Sequence, residues 1–187
     1  MLDKILSLDE HLFIYLNSLG SERYDGLWLI VTKQTSWIPL FVFLLYFIFK
    51  KLGTKHALCL LLFVAVLLVL TDQITNLFKN GFERLRPCNN TEINSFIRIV
   101  QYRNSFSFFS GHAANTTAVA TFLLFIFNKD FKYFWFLFLW PIIFAYSRIY
   151  LGLHYPLDII CGYLFGAIMG FLMFKLYQIA QKRYFPV

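Results

Sequence analysis

Apolar residues fill this chain in long runs separated by short polar stretches. The first 20 residues differ. In LDKILSLDEHLFIYLNSL (2–19), Leu2, Ile5, Leu6, Leu12, Phe13, Leu16 and Leu19 recur at helical spacing, while Asp3, Asp9 and Glu10 interrupt any continuous apolar run. That pattern predicts a helix lying along a membrane surface, not through it. Five apolar segments follow: about Gly26 to Phe49, Ala57 to Phe78, Ser110 to Phe127, Phe131 to Tyr150 and Pro156 to Tyr177. About 20 residues cross a bilayer core, so the lengths fit, the third only just. Trp28 and Trp37 are expected as interface anchors, Pro39 as a kink in the first segment, and Pro141 inside the fourth. The expected fold is an all-α integral membrane bundle: five transmembrane helices plus an N-terminal amphipathic interfacial helix. It forms one domain over 1–187, with the interfacial helix in 1–20 and the chemical core at about 57–175.

Composition supports the membrane reading. The 187 residues are 59% hydrophobic, 21% aromatic and 14% charged, with mean hydropathy +0.61. A soluble domain is nearer half apolar and a quarter charged. The 24 Phe are expected on lipid-facing and packing surfaces. The net charge of +7 fits Lys and Arg flanking membrane spans, so the bilayer is the expected partner and nucleic acid is not. The N-terminal residues lack the basic-then-apolar order of a cleaved signal. Cys59, Cys88 and Cys161 show no metal-binding spacing; a Cys88–Cys161 disulfide is open in an oxidising compartment.

The short loops set an orientation. KKLGTKH (50–56), NKDFK (128–132) and the tail with Lys175, Lys182 and Arg183 share one side, which the positive-inside rule makes cytoplasmic. The N-terminal helix and the 79–110 loop then face outward. That loop is itself basic, carrying Lys79, Arg84, Arg86, Arg98 and Arg103 against Glu83 and Glu92. Its cations therefore need a role other than topology, with Arg84, Arg98 and Arg103 open to lipid head groups or solvent.

The polar residues at helix ends supply that role. Lys79 and Arg86 follow the second segment, Ser110, Gly111 and His112 open the third, Arg148 ends the fourth, and His154 and Asp158 open the fifth. All fall on the outer side. Arg presents a planar fork to phosphate oxygens, and Lys adds a point charge. Together with helix N-terminal amides they can hold a phosphate dianion and its transition state. His154 and Asp158 are one helical turn apart, so the carboxylate can fix the imidazole tautomer and leave the other nitrogen to attack phosphorus. His112 is placed to protonate the leaving oxygen and later to activate water. Asp72, seven residues before Lys79, is a candidate support for an active-site cation.

The spacing is specific. KNGFERLRP is Lys, six residues, Arg-Pro; SGH stands alone; SRIYLGLHYPLD is Ser-Arg, five residues, His, three residues, Asp. This three-part signature resembles that of the type 2 phosphatidic acid phosphatase family, relatives of the vanadium haloperoxidases, over about residues 57 to 175. The resemblance implies metal-independent chemistry without a cofactor. It gives Lys79, Arg86 and Arg148 as phosphate-binding cations, Ser110 and Gly111 as the phosphate cradle, His112 as acid/base, His154 as nucleophile and Asp158 as its orienting carboxylate. The family usually has Pro before Ser-Gly-His; here Phe109 stands there.

The expected function is hydrolysis of a lipid phosphate or diphosphate through a phosphohistidine, at the outer face of a bacterial inner membrane. Undecaprenyl diphosphate comes first as substrate, with lipid A phosphate, phosphatidylglycerophosphate and phosphatidic acid behind it. An anion transporter or a silent lipid-phosphate receptor is the rival class. A transporter predicts inverted repeats or broken helices at mid-membrane, and the sequence has neither.

Overall fold

The computed structural model describes residues 2–129 and 131–184; Met1, Asp130 of the NKDFK loop and the last three residues lie outside the described residues. Among the described residues, regular structure is helical: α1 (Leu2–Ser18), α2 (Glu22–Val31), α3 (Ile38–Phe82), α4 (Gly111–Phe127), α5 (Leu139–Tyr150) and α6 (Pro156–Tyr184). Two stretches, Gln34–Asn89 and Pro156–Tyr184, are long and apolar enough to cross a bilayer, and Gly111–Phe127 and Phe134–Tyr150 are shorter apolar stretches.

The predicted first segment is cut in two. α2 ends at Val31, a 3-10 turn covers Gln34–Trp37, and α3 starts at Ile38. The polar run 32–36 cannot continue an apolar helix, and its side chains close the break. Ser36 Oγ donates to Ile30 O at 2.6 Å and Trp37 Nε1 to Val31 O at 2.9 Å. Pro39 is therefore no kink. It occupies the first turn of α3, where a missing N–H costs nothing. Trp28 and Trp37 pack on protein rings, Trp28 on Tyr146 and Tyr150, Trp37 on Trp140 and Phe144.

α3 is two arms joined at Gly53, whose φ of 69° and ψ of 167° break the helix. Glycine alone adopts that backbone without strain. The first arm runs alongside α4. Trp37 meets Phe144, which also flanks His112 at the start of α4, and Phe47 meets Phe127 at its end. The second arm runs against α4, with Phe63 edge-on to Tyr177 beside Phe122, and Lys79 beside Gly111. The arms thus form a hairpin around the main core of Leu44, Ile48, Leu60, Leu67, Phe122 and Phe127.

α4 and α6 pack closely through small residues. Gly162, Gly166 and Gly170 face the carbonyl oxygens of Ser110, Ala114 and Ala118, and a Cβ at any of the three would fall inside van der Waals contact with them. Such small-residue stripes let helices approach where lipid supplies no hydrophobic drive. The outer face of α6 is apolar, with Leu164, Ile168, Leu172, Leu176 and Ile179 all at least half exposed.

The 2–18 segment is helical, and it buries polar residues while exposing apolar ones. Asp9, Phe13 and Asn17, four residues apart, are buried, while Leu8, Leu12, Tyr15 and Leu19 are exposed. Asn17 Nδ2 donates to the carbonyls of Arg98, Ile149 and Tyr150, each at 3.1 Å, and its Oδ1 accepts from Arg98 N at 2.7 Å. One amide thereby bonds Tyr150 O at the end of α5, adds a second donor to Ile149 O, which also accepts from Gly152 N, and ties both to Arg98. Cys59, Cys88 and Cys161 are free thiols.

Candidate active site

The candidate residues other than Asp72 lie at the same end of the bundle, on four helices and the two loops beside them. Lys79 is in the last turn of α3 and Arg86 in the loop beyond it; Arg148 is in the last turn of α5 and Asp158 in the first turn of α6. Ser110 is the N-cap of α4, its Oγ accepting from Ala113 N at 3.5 Å. Gly111 opens that helix, and a Cβ there would lie 3.9 Å from Lys79 Nζ. His154 sits in the loop between α5 and α6. Gly152, at φ 84°, turns this loop so that Leu153 N and His154 N both donate to Arg148 O, at 2.9 and 3.3 Å. Proline-led α6 then starts at Pro156.

His154 is 1% exposed and Asp158 is fully buried. The imidazole Nδ1 stands 3.4 Å from Asp158 Oδ2 and 3.4 Å from Ser107 Oγ, and Ser107 Oγ in turn donates to Asp158 Oδ2. On the other side of the ring, Arg86 Nη1 lies 2.9 Å from Nε2. A guanidinium has only donors, so Nε2 must be the bare nitrogen and the proton sits on Nδ1, toward Asp158. Burial, then the charges of Arg86, Arg148 and Lys79, hold the His154 pKa well below its usual value. The ring is thus neutral near pH 7, with its lone pair on the cation side.

Two of the cations are anchored by hydrogen bonds. Arg86 Nε donates to Ser105 O at 2.6 Å, its Nη2 to Ser105 Oγ at 3.0 Å, and its Nη1 to Leu153 O at 2.9 Å. Arg148 Nη1 donates to Thr32 Oγ1 at 2.5 Å, and its buried Nε has no partner among the described residues. His112 lies within electrostatic reach of Arg148, His154, Lys79 and Arg103. Asp158 is matched by its own cation, Arg84, at 2.8 Å. The remaining charges leave the pocket positive, suited to an anion.

His112, Lys79 and Gly111 also border a cavity of about 710 Å³ whose other walls are Trp37 of the 3-10 turn, Phe41, Leu44 and Ile48 from the first arm of α3, and Leu61 and Val64 from the second. Charged groups at one end and an apolar slot behind them suit a lipid with an anionic head. Asp72 borders the same cavity and acts on Lys79 electrostatically, while its Oδ2 accepts from Asn76 at 3.3 Å. Phe109 is buried between Phe78 of α3 and Phe165 of α6, at 5.2 and 4.9 Å, anchoring the entry to α4 by packing where the family pattern has Pro.

Two arginines of the 79–110 loop are engaged by carboxylates. Arg84 pairs with Asp9 and Asp158, and Arg98 pairs with Asp25. Arg103 is exposed. Sequence reading missed Ser107, Asp9, Arg84 and Thr32, whose partners are distant in the chain. It also missed the glycine stripe, although GYLFGAIMG, with Gly at every fourth position, announces it.

A neutral histidine facing fixed cations beside a lipid-sized slot is the equipment of a membrane phosphatase. Residues 57–182, which hold every candidate residue except Asp9 and Thr32, match the PAP2 superfamily. The chain belongs to that superfamily and is a lipid phosphate hydrolase of the membrane. Two lipid A 4'-phosphatases are similar over nearly its whole length. The one from Bacteroides thetaiotaomicron is 34% identical over 97% of this chain and 81% of its own; that from Porphyromonas gingivalis is 32% identical over 98% and 78%. An undecaprenyl-diphosphatase of Sulfolobus acidocaldarius is 29% identical over 89% of this chain and 77% of its own. The solved phosphatidylglycerolphosphate phosphatase of Bacillus subtilis shares the fold, with TM-score 0.73, 21% identity, and 97% and 89% of the two chains covered. Aquifex aeolicus LpxE matches with TM-score 0.66 and 27% identity over 90% and 95%.

Proposed function

We propose that this protein removes a phosphate monoester from lipid A, through a phosphohistidine on His154, at the outer face of a bacterial inner membrane. The sequence alone puts undecaprenyl diphosphate first. Similarity over nearly the whole chain to two lipid A 4'-phosphatases, against a more distant undecaprenyl-diphosphatase, reverses that order. The likeness to the phosphatidylglycerolphosphate phosphatase is of fold only. Membership of a phosphatase family sets the transporter and receptor readings aside.

The single observation carrying the mechanism is the line Asp158–His154–Arg86, with Nδ1 backed by the carboxylate and Nε2 turned to the cations. Phosphate oxygens bind Lys79, Arg86, Arg148, the Ser110 hydroxyl and the Gly111 amide, the Ser110 amide being held by Asp158 O at 3.0 Å. Arg148 Nε, buried without a partner among the described residues, fits an anionic oxygen. Nε2 attacks phosphorus as the bond to the lipid oxygen breaks, and His112 in its protonated form gives that oxygen a proton. His112 then accepts a proton from water, whose oxygen takes the phosphoryl group, and His154 returns neutral. Positioning and fixed charge provide most of the acceleration.

In this reading the chain crosses the bilayer five times, by the two arms of α3, by α4, by the 134–150 segment and by α6. α1 lies in the outer interface with Leu8, Leu12 and Tyr15 toward lipid. The acyl chains occupy the apolar slot.

The test uses purified full-length protein in detergent with lipid A bisphosphate, measuring inorganic phosphate. Wild type should release it with EDTA present, and vanadate should inhibit. His154→Ala should fall to background. His112→Ala should lose about 10²–10⁴-fold. Normal turnover by His154→Ala ends the nucleophile assignment; release from undecaprenyl diphosphate but not from lipid A ends the substrate assignment.

A further inference from the structure

Outside the recognised signature, one buried charge network stands beside His154. Arg84 Nη1 donates to Asp158 Oδ1 at 2.8 Å and its Nη2 to Asp9 Oδ2 at 2.7 Å. The guanidinium lies over the Tyr155 ring, 4.0 Å from its centroid. Asp9 Oδ1 accepts from Leu157 N at 2.8 Å, so the same carboxylate holds the first turn of α6. The backbone joins in: Arg84 O accepts from Ser107 N at 2.8 Å, and Ser107 Oγ bonds Asp158. Arg84, Ser107 and Asp158 therefore form a closed ring of hydrogen bonds, with Asp9 fastening it from outside.

The charges matter as much as the shape. Asp158 is useful to His154 only while it keeps negative charge facing Nδ1. A single arginine bound to it alone would neutralise most of that charge. Arg84 is instead divided between two carboxylates, both almost fully buried, with side-chain exposures of 5% for Asp9 and 0% for Asp158. Asp9 also fixes where Arg84 ends, and hence which way Oδ2 of Asp158 points. Arg84 is two residues before Arg86, so the same short segment sets the nucleophile's backing and its facing cation.

We propose that Asp9 on α1 and Arg84 are positioning residues for phosphate-ester hydrolysis: they clamp Asp158 and so hold His154 in its attacking tautomer and direction. This rests on His154 as the nucleophile. It makes the N-terminal helix, which lies before the region matched to the family, part of the working site.

The test compares full-length Asp9→Asn, Asp9→Glu and Arg84→Lys with wild type and His154→Ala on lipid A bisphosphate in detergent, with Asp25→Asn as control. Asp25 makes the same kind of ion pair, to Arg98, away from His154. Asp9→Asn and Arg84→Lys should lower kcat about 10–100-fold, by analogy with the partners that orient metal-bound imidazoles, with KM within about twofold. Asp9→Glu should recover most of the rate, and Asp25→Asn should match wild type. If Asp9→Asn does not fold, Asp9→Gln against Asp9→Glu makes the same comparison. Wild-type kcat in Asp9→Asn and Arg84→Lys beside a dead His154→Ala overturns the clamp and leaves the nucleophile standing. A rise in KM with unchanged kcat, or a loss equalled by Asp25→Asn, overturns it also. An active His154→Ala removes the premise instead.

Discussion

Replacing Gly162 with Ala tests how the helix stripe governs chemistry. Gly162 lies one turn beyond Asp158 on α6 and faces α4 at the N-cap. A Cβ there would stand 2.7 Å from Ser110 O and 3.0 Å from the Ala113 Cβ, against 3.4 Å for ordinary contact. The helices must part by about 0.7 Å at this level. Overpacking costs about 1–3 kcal/mol. Ala regains up to about 1 kcal/mol of helix propensity. The net loss of about 0–2 kcal/mol lowers Tm by at most roughly 8 °C for a chain of this size. Activity should suffer more. Ser110 and His112 ride on α4, Asp158 on α6, and a misplacement near 1 Å costs on the order of 10²-fold. kcat should therefore fall about 10–100-fold. Scanning fluorimetry in detergent and phosphate release on the same preparation make the comparison. A variant with unchanged kcat and unchanged Tm refutes the idea that the stripe sets the spacing; a large fall in Tm with full kcat per folded molecule refutes its link to the site.

Asn17→Ala should lower Tm by roughly 6–12 °C, since losing a fully buried amide leaves its carbonyl and N–H partners unsatisfied at about 3 kcal/mol; an unchanged Tm would show that water takes its place. Stability should also fall as pH drops. The His154 pKa is depressed in the fold, so its contribution is present above the unfolded value near 6.5 and is lost as pH falls below it. His154→Gln should flatten that dependence on pH; equal slopes in both proteins would contradict it. In a cysteine-free background, Cys at exposed Asn104 should react with an impermeant thiol reagent on intact cells; labelling only in inverted vesicles would reverse the proposed orientation.

Local spacing made much of the site legible. His154 and Asp158 are a helical turn apart, and the Lys79–Arg86 and Arg148–His154 intervals each sit at a helix end, so chemistry and topology pointed to the same place. The pairing of Asp9 with Arg84 spans 75 positions and leaves no periodic trace. Apolar spacing revealed that α1 is a helix but not which face it buries, because the buried partners of Asp9 and Asn17, Arg84 and the carbonyls of Arg98, Ile149 and Tyr150, are distant in the chain. Pro39 was misplaced because overall hydrophobicity concealed the polar run 32–36, which ends one helix before the proline starts the next.

The backbone reversal at Gly53 comes four residues before the region shared with the superfamily begins. The chain is thereby split into two parcels. The part after the bend holds the family signature and supplies Leu61 and Val64 to the cavity wall; the part before it contributes Trp37, Phe41 and Leu44 to that wall, Thr32 to Arg148 and Asp9 to Arg84. On the proposed function, exchanging the leading parcel is a route to new lipid preferences with the phosphorus chemistry left in place, provided the substitute still delivers an acid to Arg84 and a hydroxyl to Arg148.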